Sequence, residues 1–331
     1  MSKPETAQRV TGVVVIGRNE GTRLAQCIKS VSSLSSRAVY VDSGSTDNSI
    51  EIARSSGVDV VSLDLSTPFT AARARNEGLF LLREKEPKAS YVQFVDGDCE
   101  IIGGWAEAAE NFLDDHPNVV AVCGRLRERF PEHSIYNLLC NLEWDAPTGD
   151  VRACGGIAMF RIQPVIELGG FRTDLIAGEE PELCLRLRSQ GWQIHRLDRD
   201  MALHDAAMHH FGQWWTRTMR GGFAAAQGSH LHGNTPEKYK IRETRSIWLW
   251  GLLLPIAILL LVALSPKLAA ILLLIYPVQI ARLALSGKHS IKENWYRAFF
   301  LVLGKIPEML GQLKFLKTRI AGRSHELIEY K

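Results

Sequence analysis

The sequence predicts an α/β fold, a mostly parallel sheet flanked by helices, followed by a transmembrane helical hairpin and an amphipathic helix. Three observations carry this reading. Short β-branched runs alternate with helical periodicity from Val13 to about Val95. Acidic residues recur at the carboxyl ends of those runs, at Asp42, Asp96 and Asp98. The stretch from Ile247 to Leu285 is almost wholly apolar, so the near-zero mean hydropathy averages two unlike halves.

The first strand is Val13-Val14-Val15-Ile16, a continuous apolar run of the kind that is buried on both faces. Thr22 to Leu34 follows with Leu24, Ile28 and Val31 at helical spacing. Ala38 to Val41 is the second strand and leads into Asp42-Ser43-Gly44-Ser45; a capped helix then carries Ile50, Ile52 and Ala53. Val58 to Leu63 is a third strand, Ala71 to Arg83 a helix, and Tyr91 to Val95 a fourth strand. Beyond Trp105 the rhythm loosens: a helix to about Leu113, a strand at Val119 to Cys123, helices at Gln163 to Leu168 and Glu180 to Ser189, and a strand at Gln193 to Arg196. In such sheets ligands bind beyond the carboxyl ends of the strands.

Ile247 to Leu264 would extend about 27 Å as a helix, close to the minimum for a bilayer. Ser265-Pro266-Lys267 makes a turn, and Leu268 to Leu285 is a second span. Trp248 and Trp250 suit an interfacial belt. Lys238, Lys240, Arg242 and Arg245 precede the hairpin and Arg282, Lys288, Lys292 and Arg297 follow it, against Lys267 in the turn. By the positive-inside rule both ends face the cytoplasm. Trp295 to Ile320 mixes apolar and basic residues, as in a helix lying in the headgroup region. The expected organisation is a catalytic domain over 1–240, two transmembrane helices over 241–290, and a membrane-surface helix and tail over 291–331. The localisation that follows is multi-pass in the cytoplasmic (inner) membrane.

A net charge of +3 with mixed signs argues against nucleic acid as a partner, and six scattered cysteines without a CxxC pair read as reduced thiols. Asp96-Gly97-Asp98 at a strand end can hold Mg²⁺ or Mn²⁺ against a diphosphate, because hard cations take oxygen ligands and leave positions open for phosphate. A DxD alone occurs in many surface turns; its company sharpens it. VVVIGRNE (13–20), VYVDSGSTDNS (39–49), ARARNEG (72–78), FVDGD (94–98), CGGIAMFR (154–161) and GEEPELCLRLRSQG (178–191) fall in that order. Together they resemble family 2 glycosyltransferases, which have the GT-A nucleotide-diphospho-sugar transferase fold.

The resemblance implies a metal-dependent, inverting enzyme with a nucleotide-sugar donor, UDP first. Arg18, Glu20 and Asp42 would lie at base and ribose. Arg73 and Asn76 would face the nucleotide, with Arg75 an alternative because the ARAR register is ambiguous. Asp98 would be the main metal ligand, with Asp96 nearer the ribose or the metal's waters and His204 near metal or diphosphate. Gly155-Gly156 would form the donor and acceptor loop. Glu180 would be the catalytic base, standing where the family usually has Asp; the longer side chain leaves Glu179 open as well. Glu182 and Arg186 read as an intrahelical ion pair. Processive members carry QxxRW. This chain has Gln213-Trp214-Trp215-Thr216-Arg217, with the arginine displaced, so one sugar per acceptor is expected. Arg217 and Arg220 can grip a diphosphate near the membrane. The expected acceptor is a lipid-linked sugar or glycan in surface or exopolysaccharide assembly; direct transfer to polyprenyl phosphate, or a catalytically inactive binding protein, are the alternatives.

Overall fold

The structure, a computed structural model, describes residues 10–32, 34 and 37–322. The tail expected after 322 lies outside the described residues. Two compact units emerge. One comprises the chain through Phe130 with Glu143–Leu175 and Glu179–Ala206; the other comprises Pro131–Leu142, Ile176–Gly178 and the chain from Ala207 onward. The division falls at Ala206 rather than at 240 because the helix Phe211–His232 packs along Lys305–Ile320.

The first unit holds one sheet of nine strands among the described residues: β1 (Thr11–Gly17), β2 (Ala38–Asp42), β3 (Asp59–Ser62), β4 (Tyr91–Asp96), β5 (Cys99–Ile101), β6 (Val119–Glu128), β7 (Gly149–Asp150), β8 (Ala158–Arg161) and β9 (Gln193–His204). The order is β3-β2-β1-β4-β8-β6-β9-β5, with β7 paired to β9. The first four strands are parallel, as expected. Past β4 the sheet is mixed: β8 is antiparallel to β4 and β6, while β9 runs parallel to β6 and antiparallel to β5 and β7. β5, β7 and β8, at two to four residues, are too short to show a period in sequence.

Val13, Val14, Val15, Val39, Tyr40, Val41 and Val92 are fully buried, which explains their unbroken apolar runs. The helix Ala71–Lys85 lies close on β1 and β2: a Cβ at Gly78 would stand 2.4 Å from Val14 and 2.9 Å from Val41. Thr70 caps this helix, accepting from Arg73 N at 3.1 Å. Because the helix runs back from the carboxyl ends of the strands, its first turns, and Arg75 with them, sit at the ligand-binding edge.

The helical unit contains two helices long and apolar enough to cross a membrane, Ile241–Leu264 and Pro266–Leu285, both little buried. One turn of the first, Leu249–Leu253, widens to π-helical geometry just before Pro255. A proline ring presses on the carbonyl four residues back and offers no N–H, and a wider turn accommodates both. The second helix is interrupted at Leu274, ahead of Pro277. The amphipathic segment is two helices, Ile291–Leu303 and Lys305–Ile320, broken at Gly304. The first exposes Ile291, Trp295 and Phe299 at four-residue spacing. The second buries Pro307, Met309 and Phe315, so part of the apolar face expected to meet lipid meets protein instead.

The helices Phe211–His232 and Lys305–Ile320 approach closely through glycines. A Cβ on Gly222 would lie 2.0 Å from the Glu308 carbonyl oxygen, and one on Gly311 2.0 Å from that of Met219. These glycines also explain why the first of the two helices is faint in the sequence, since glycine weakens local helix propensity. Gly222→Ala is expected to cost about 1–3 kcal/mol through overpacking, lowering the melting temperature in detergent. Gly221→Ala, where the added Cβ meets nothing within 4 Å, should leave it unchanged or raised.

Candidate functional site

Three strand ends converge. In the registers of β9, His204 pairs with Cys99 on β5 and with Glu128 on β6. The backbone amide of Asp205 donates to the Asp98 carbonyl at 3.0 Å, closing the loop after β4 against the end of β9. Gly97 makes that loop possible: its amide donates to the Ile16 carbonyl at 2.8 Å, and a Cβ there would stand 3.0 Å from Glu20 Cγ. The result places His204 Nε2 3.4 Å from Asp98 Oδ2. Glu128, fully buried, faces His204 Nδ1 at 3.5 Å and accepts from the Ala206 amide at 3.1 Å. Trp144 packs edge-on against the imidazole, ring centroids 4.8 Å apart. Asp98, Cys99 and His204 bring one ligand atom each within 4.8 Å of one another. Sequence reasoning missed Glu128, because nothing local ties it to His204, 76 residues later; only the β6–β9 pairing does.

Arg75 is the second centre. It is 2% exposed, and its Nη1 donates to Glu179 Oε1 at 2.6 Å, its Nη2 to Asp96 Oδ1 at 2.9 Å and to the Gly156 carbonyl at 3.3 Å. The Phe171 ring lies 5.7 Å from the guanidinium. Burial opposes the positive charge, yet Asp96 and Glu179 outweigh it and hold the pKa above its ordinary value. Asp96, half-buried, is raised by its partial loss of water, against the pull of Arg75, with Asp98 adding repulsion. Gly156 must be glycine here, since a Cβ would fall 2.6 Å from Arg75 Nη2 and 3.3 Å from Asp96 Oδ2. Gly155 beside it has φ +87°, in the left-handed region.

Glu180 lies in the first turn of the helix Glu179–Ser189 and is 2% exposed. Its Oε1 accepts from the Cys154 amide at 2.8 Å and from the thiols of Cys184 at 2.8 Å and Cys154 at 3.0 Å. Its Oε2 is buried without a hydrogen-bond partner. Burial pushes the Glu180 pKa up, and the hydrogen bonds from the two thiols and from the amides of Cys154 and Gly155 partly offset it. The two carboxylates of the pair are thus distinguished: Glu179 is committed to Arg75, and Glu180 keeps a free oxygen.

The remaining expected residues divide. Arg18 reaches the Gly44 carbonyl at 3.4 Å and covers the Phe69 ring at 4.7 Å. Glu20 pairs with Arg23 at 2.8 Å. Asp42 caps its own turn, accepting from the amides of Gly44 and Ser45 at 2.9 and 2.8 Å and from the Tyr40 hydroxyl at 3.1 Å. Arg73 points elsewhere than Arg75, donating to the carbonyls of Asp64 and Thr67. Asn76 spends both amide atoms on the backbone of Phe171, at 2.8 and 2.9 Å, and so anchors a loop. Glu182 and Arg186 form the expected ion pair at 2.8 Å, and Arg186 also donates to the carbonyls of Leu168 and Gly170. Arg217 and Arg220 belong to the helical unit, where Arg220 donates to the Ile176 carbonyl at 2.8 and 3.2 Å. Gln213 accepts from the amides of His209 and His210, capping its helix. Arg75→Ala is expected to cost about 3 kcal/mol in denaturant unfolding. That is the lower end for unpairing a buried charge, because Asp96 remains 36% exposed to water.

Comparison with known proteins adds the family. Residues 12–161 match the model described as "Glycosyl transferase family 2". No curated protein is similar enough in sequence to match the chain. Among solved structures, a mannosyltransferase from Pyrobaculum calidifontis, in complex with GDP-Man and Mn²⁺, is 20% identical, with a TM-score of 0.63 over 94% of this chain and 88% of its own. Glucosyl-3-phosphoglycerate synthase from Mycobacterium tuberculosis is 18% identical, with a TM-score of 0.45 over 66% of this chain and 78% of its own. TarS from S. aureus is 15% identical, with a TM-score of 0.46 over 91% of this chain and 50% of its own. The first of these carries the fold comparison. With these motif blocks gathered at one edge of a GT-A sheet, residues 12–161 are identified as a family 2 glycosyltransferase segment.

Proposed function

We propose that the chain transfers one sugar from a nucleotide-diphospho-sugar to a lipid-linked or glycan acceptor at the cytoplasmic face of a membrane, inverting the anomeric centre. The observation that supports this best is the pairing, through Arg75, of the strand-end carboxylate Asp96 with the helix-start pair Glu179-Glu180. It brings the strand-end acid and the helix start that carries the buried Glu180 to one edge of the sheet, as this reading requires.

Asp98 and His204, with Asp96 next to them, fit a hard divalent cation. Asp98 Oδ2 and His204 Nε2, 3.4 Å apart, are close enough for both to hold one such ion. Mg²⁺ or Mn²⁺ held there by Asp98 and His204 would supply positive charge against the departing diphosphate. Glu128 orients the His204 ring from behind, as carboxylates do for ligating imidazoles. Arg75 holds Asp96 in place and pairs with Glu179 beside it. Glu180 Oε2 takes the proton of the acceptor hydroxyl, whose oxygen bonds to the anomeric carbon as the bond to the diphosphate oxygen breaks. Arg18, Glu20 and Asp42 line the end of β1 and β2 where a base would lie; a UDP-sugar remains the first expectation. The GDP-Man of the Pyrobaculum enzyme makes a guanosine donor the second.

The two apolar helices and their basic flanks support a membrane location and an acceptor carried on a lipid. Product analysis decides the acceptor. With membrane lipid extract and radiolabelled donor, the expected product is a lipid-linked saccharide that resists mild acid. A labile product grown on bare polyprenyl phosphate would favour the lipid-phospho-sugar alternative, and equal transfer to soluble sugars would remove the lipid requirement.

Glu180→Gln is expected to lower kcat by about 10²- to 10⁴-fold with donor binding kept. The raised pKa places the acid limb of the pH–kcat/KM profile above about 4.3, the ordinary glutamate value. Removing a thiol that stabilises the ionised form raises the pKa further, so Cys184→Ala should move that limb to higher pH. A limb that stays put, or moves down, would exclude Glu180 as the titrating base.

A further inference from the structure

We propose that Cys154, Cys184 and Glu180 form a second cation site, selective for a thiophilic ion such as Zn²⁺, whose occupation blocks the base of the transfer reaction. The inference deepens the function proposed above, since it takes Glu180 to be that base.

The three residues come from two elements far apart in sequence. Cys154 precedes the glycine pair of the loop before β8, while Glu180 and Cys184 stand one helical turn apart on the helix Glu179–Ser189. Their ligand atoms lie within 4.8 Å of one another. Two thiolates at about 2.3 Å from a tetrahedral zinc ion are about 3.8 Å apart, and the two sulfurs here are 3.7 Å apart. A zinc-bound carboxylate oxygen would stand about 3.6 Å from each thiolate. Glu180 Oε1 is at 3.0 and 2.8 Å, so the carboxylate withdraws by about 0.7 Å on binding. The buried Glu180 Oε2, without a hydrogen-bond partner, is a second oxygen ready to rotate toward the ion. Glu180 and Cys184 are buried, and Cys154 is half-buried.

The chemistry separates this site from the one at Asp98. Thiolates select zinc over magnesium or manganese, whereas carboxylate and imidazole at a diphosphate suit the harder ions. On binding, each thiol gives its proton to solvent, and three protein ligands leave a fourth position for water. Two thiolates and one carboxylate against a divalent ion leave a net charge of −1. Coordination of Glu180 through either oxygen draws electron density from the carboxylate, so that it is too weak a base for the acceptor hydroxyl.

The test uses the full-length chain in detergent with saturating Mg²⁺ throughout. Titrated Co²⁺ should produce a thiolate-to-cobalt charge-transfer absorption that Zn²⁺ abolishes, that persists in Asp98→Ala, and that is lost in Cys184→Ser. Cys154→Ser, at the less buried thiol, is the second variant should Cys184→Ser not fold. Zn²⁺ should inhibit sugar transfer without relief by added Mg²⁺. Each cysteine variant, compared with its own zinc-free rate, should need about tenfold more Zn²⁺ or beyond, as the loss of metal-site groups generally requires. No absorption in the wild type, or an absorption lost in Asp98→Ala and kept in both cysteine variants, overturns the site. A cobalt band without sugar transfer from any donor supports the site and overturns the proposed function; transfer without a band overturns the site alone.

Discussion

Arg75 donates from both terminal nitrogens while almost wholly buried, to Glu179 on one side and to Asp96 and the Gly156 carbonyl on the other. A guanidinium in that position must be paired, because an isolated charge out of water is costly. The planar fork meets the requirement with fixed geometry that a lysine would not supply. Three segments are thereby tied together: the end of β4, the glycine loop before β8, and the start of the helix Glu179–Ser189. The spacing between the end of β4 and the helix Glu179–Ser189 follows from that one side chain. The requirement for glycine at 156 follows as well, since any Cβ there would strike the guanidinium.

Around this hub the site divides its acids by environment. Asp98 faces His204 and Asp96 faces Arg75, a set suited to holding charge in place. Glu180 is enclosed by amides and thiols, with burial raising its pKa, a setting suited to moving a proton. Glu179 neighbours Glu180 in sequence yet plays another part, because successive residues of a helix point in different directions. The extra methylene of glutamate at 180 fits a pocket in which one oxygen is anchored and the other left open.

Much of this was legible in the sequence because it is local. Strand-end acids, the DxD, the glycine pair and the acidic helix start are each short patterns whose position on an element follows from periodicity. What was not legible depends on pairing at a distance. Arg73 and Arg75 are both plausible in ARAR; the contact of Gly78 with β1 and β2 decides which of them turns inward. Asn76, expected to face nucleotide, instead clamps the Phe171 backbone, a partner 95 residues away. Glu128 enters only through the β6–β9 register. Cys154 and Cys184 show no metal-ligand spacing in the sequence, yet the fold brings their sulfurs into contact. The helix Phe211–His232 was hidden because its glycines serve interhelical approach rather than local propensity.

The central claim is that this edge of the sheet binds and cleaves a nucleotide-sugar. The most direct measurement is release of nucleoside diphosphate from a panel of nucleotide-sugars by the detergent-purified chain with Mn²⁺ or Mg²⁺, alongside Asp98→Ala. The account predicts release from one donor class, abolished by EDTA and in the variant. Absence of release from every donor in the presence of lipid extract, by a folded protein that still binds nucleotide, would contradict it.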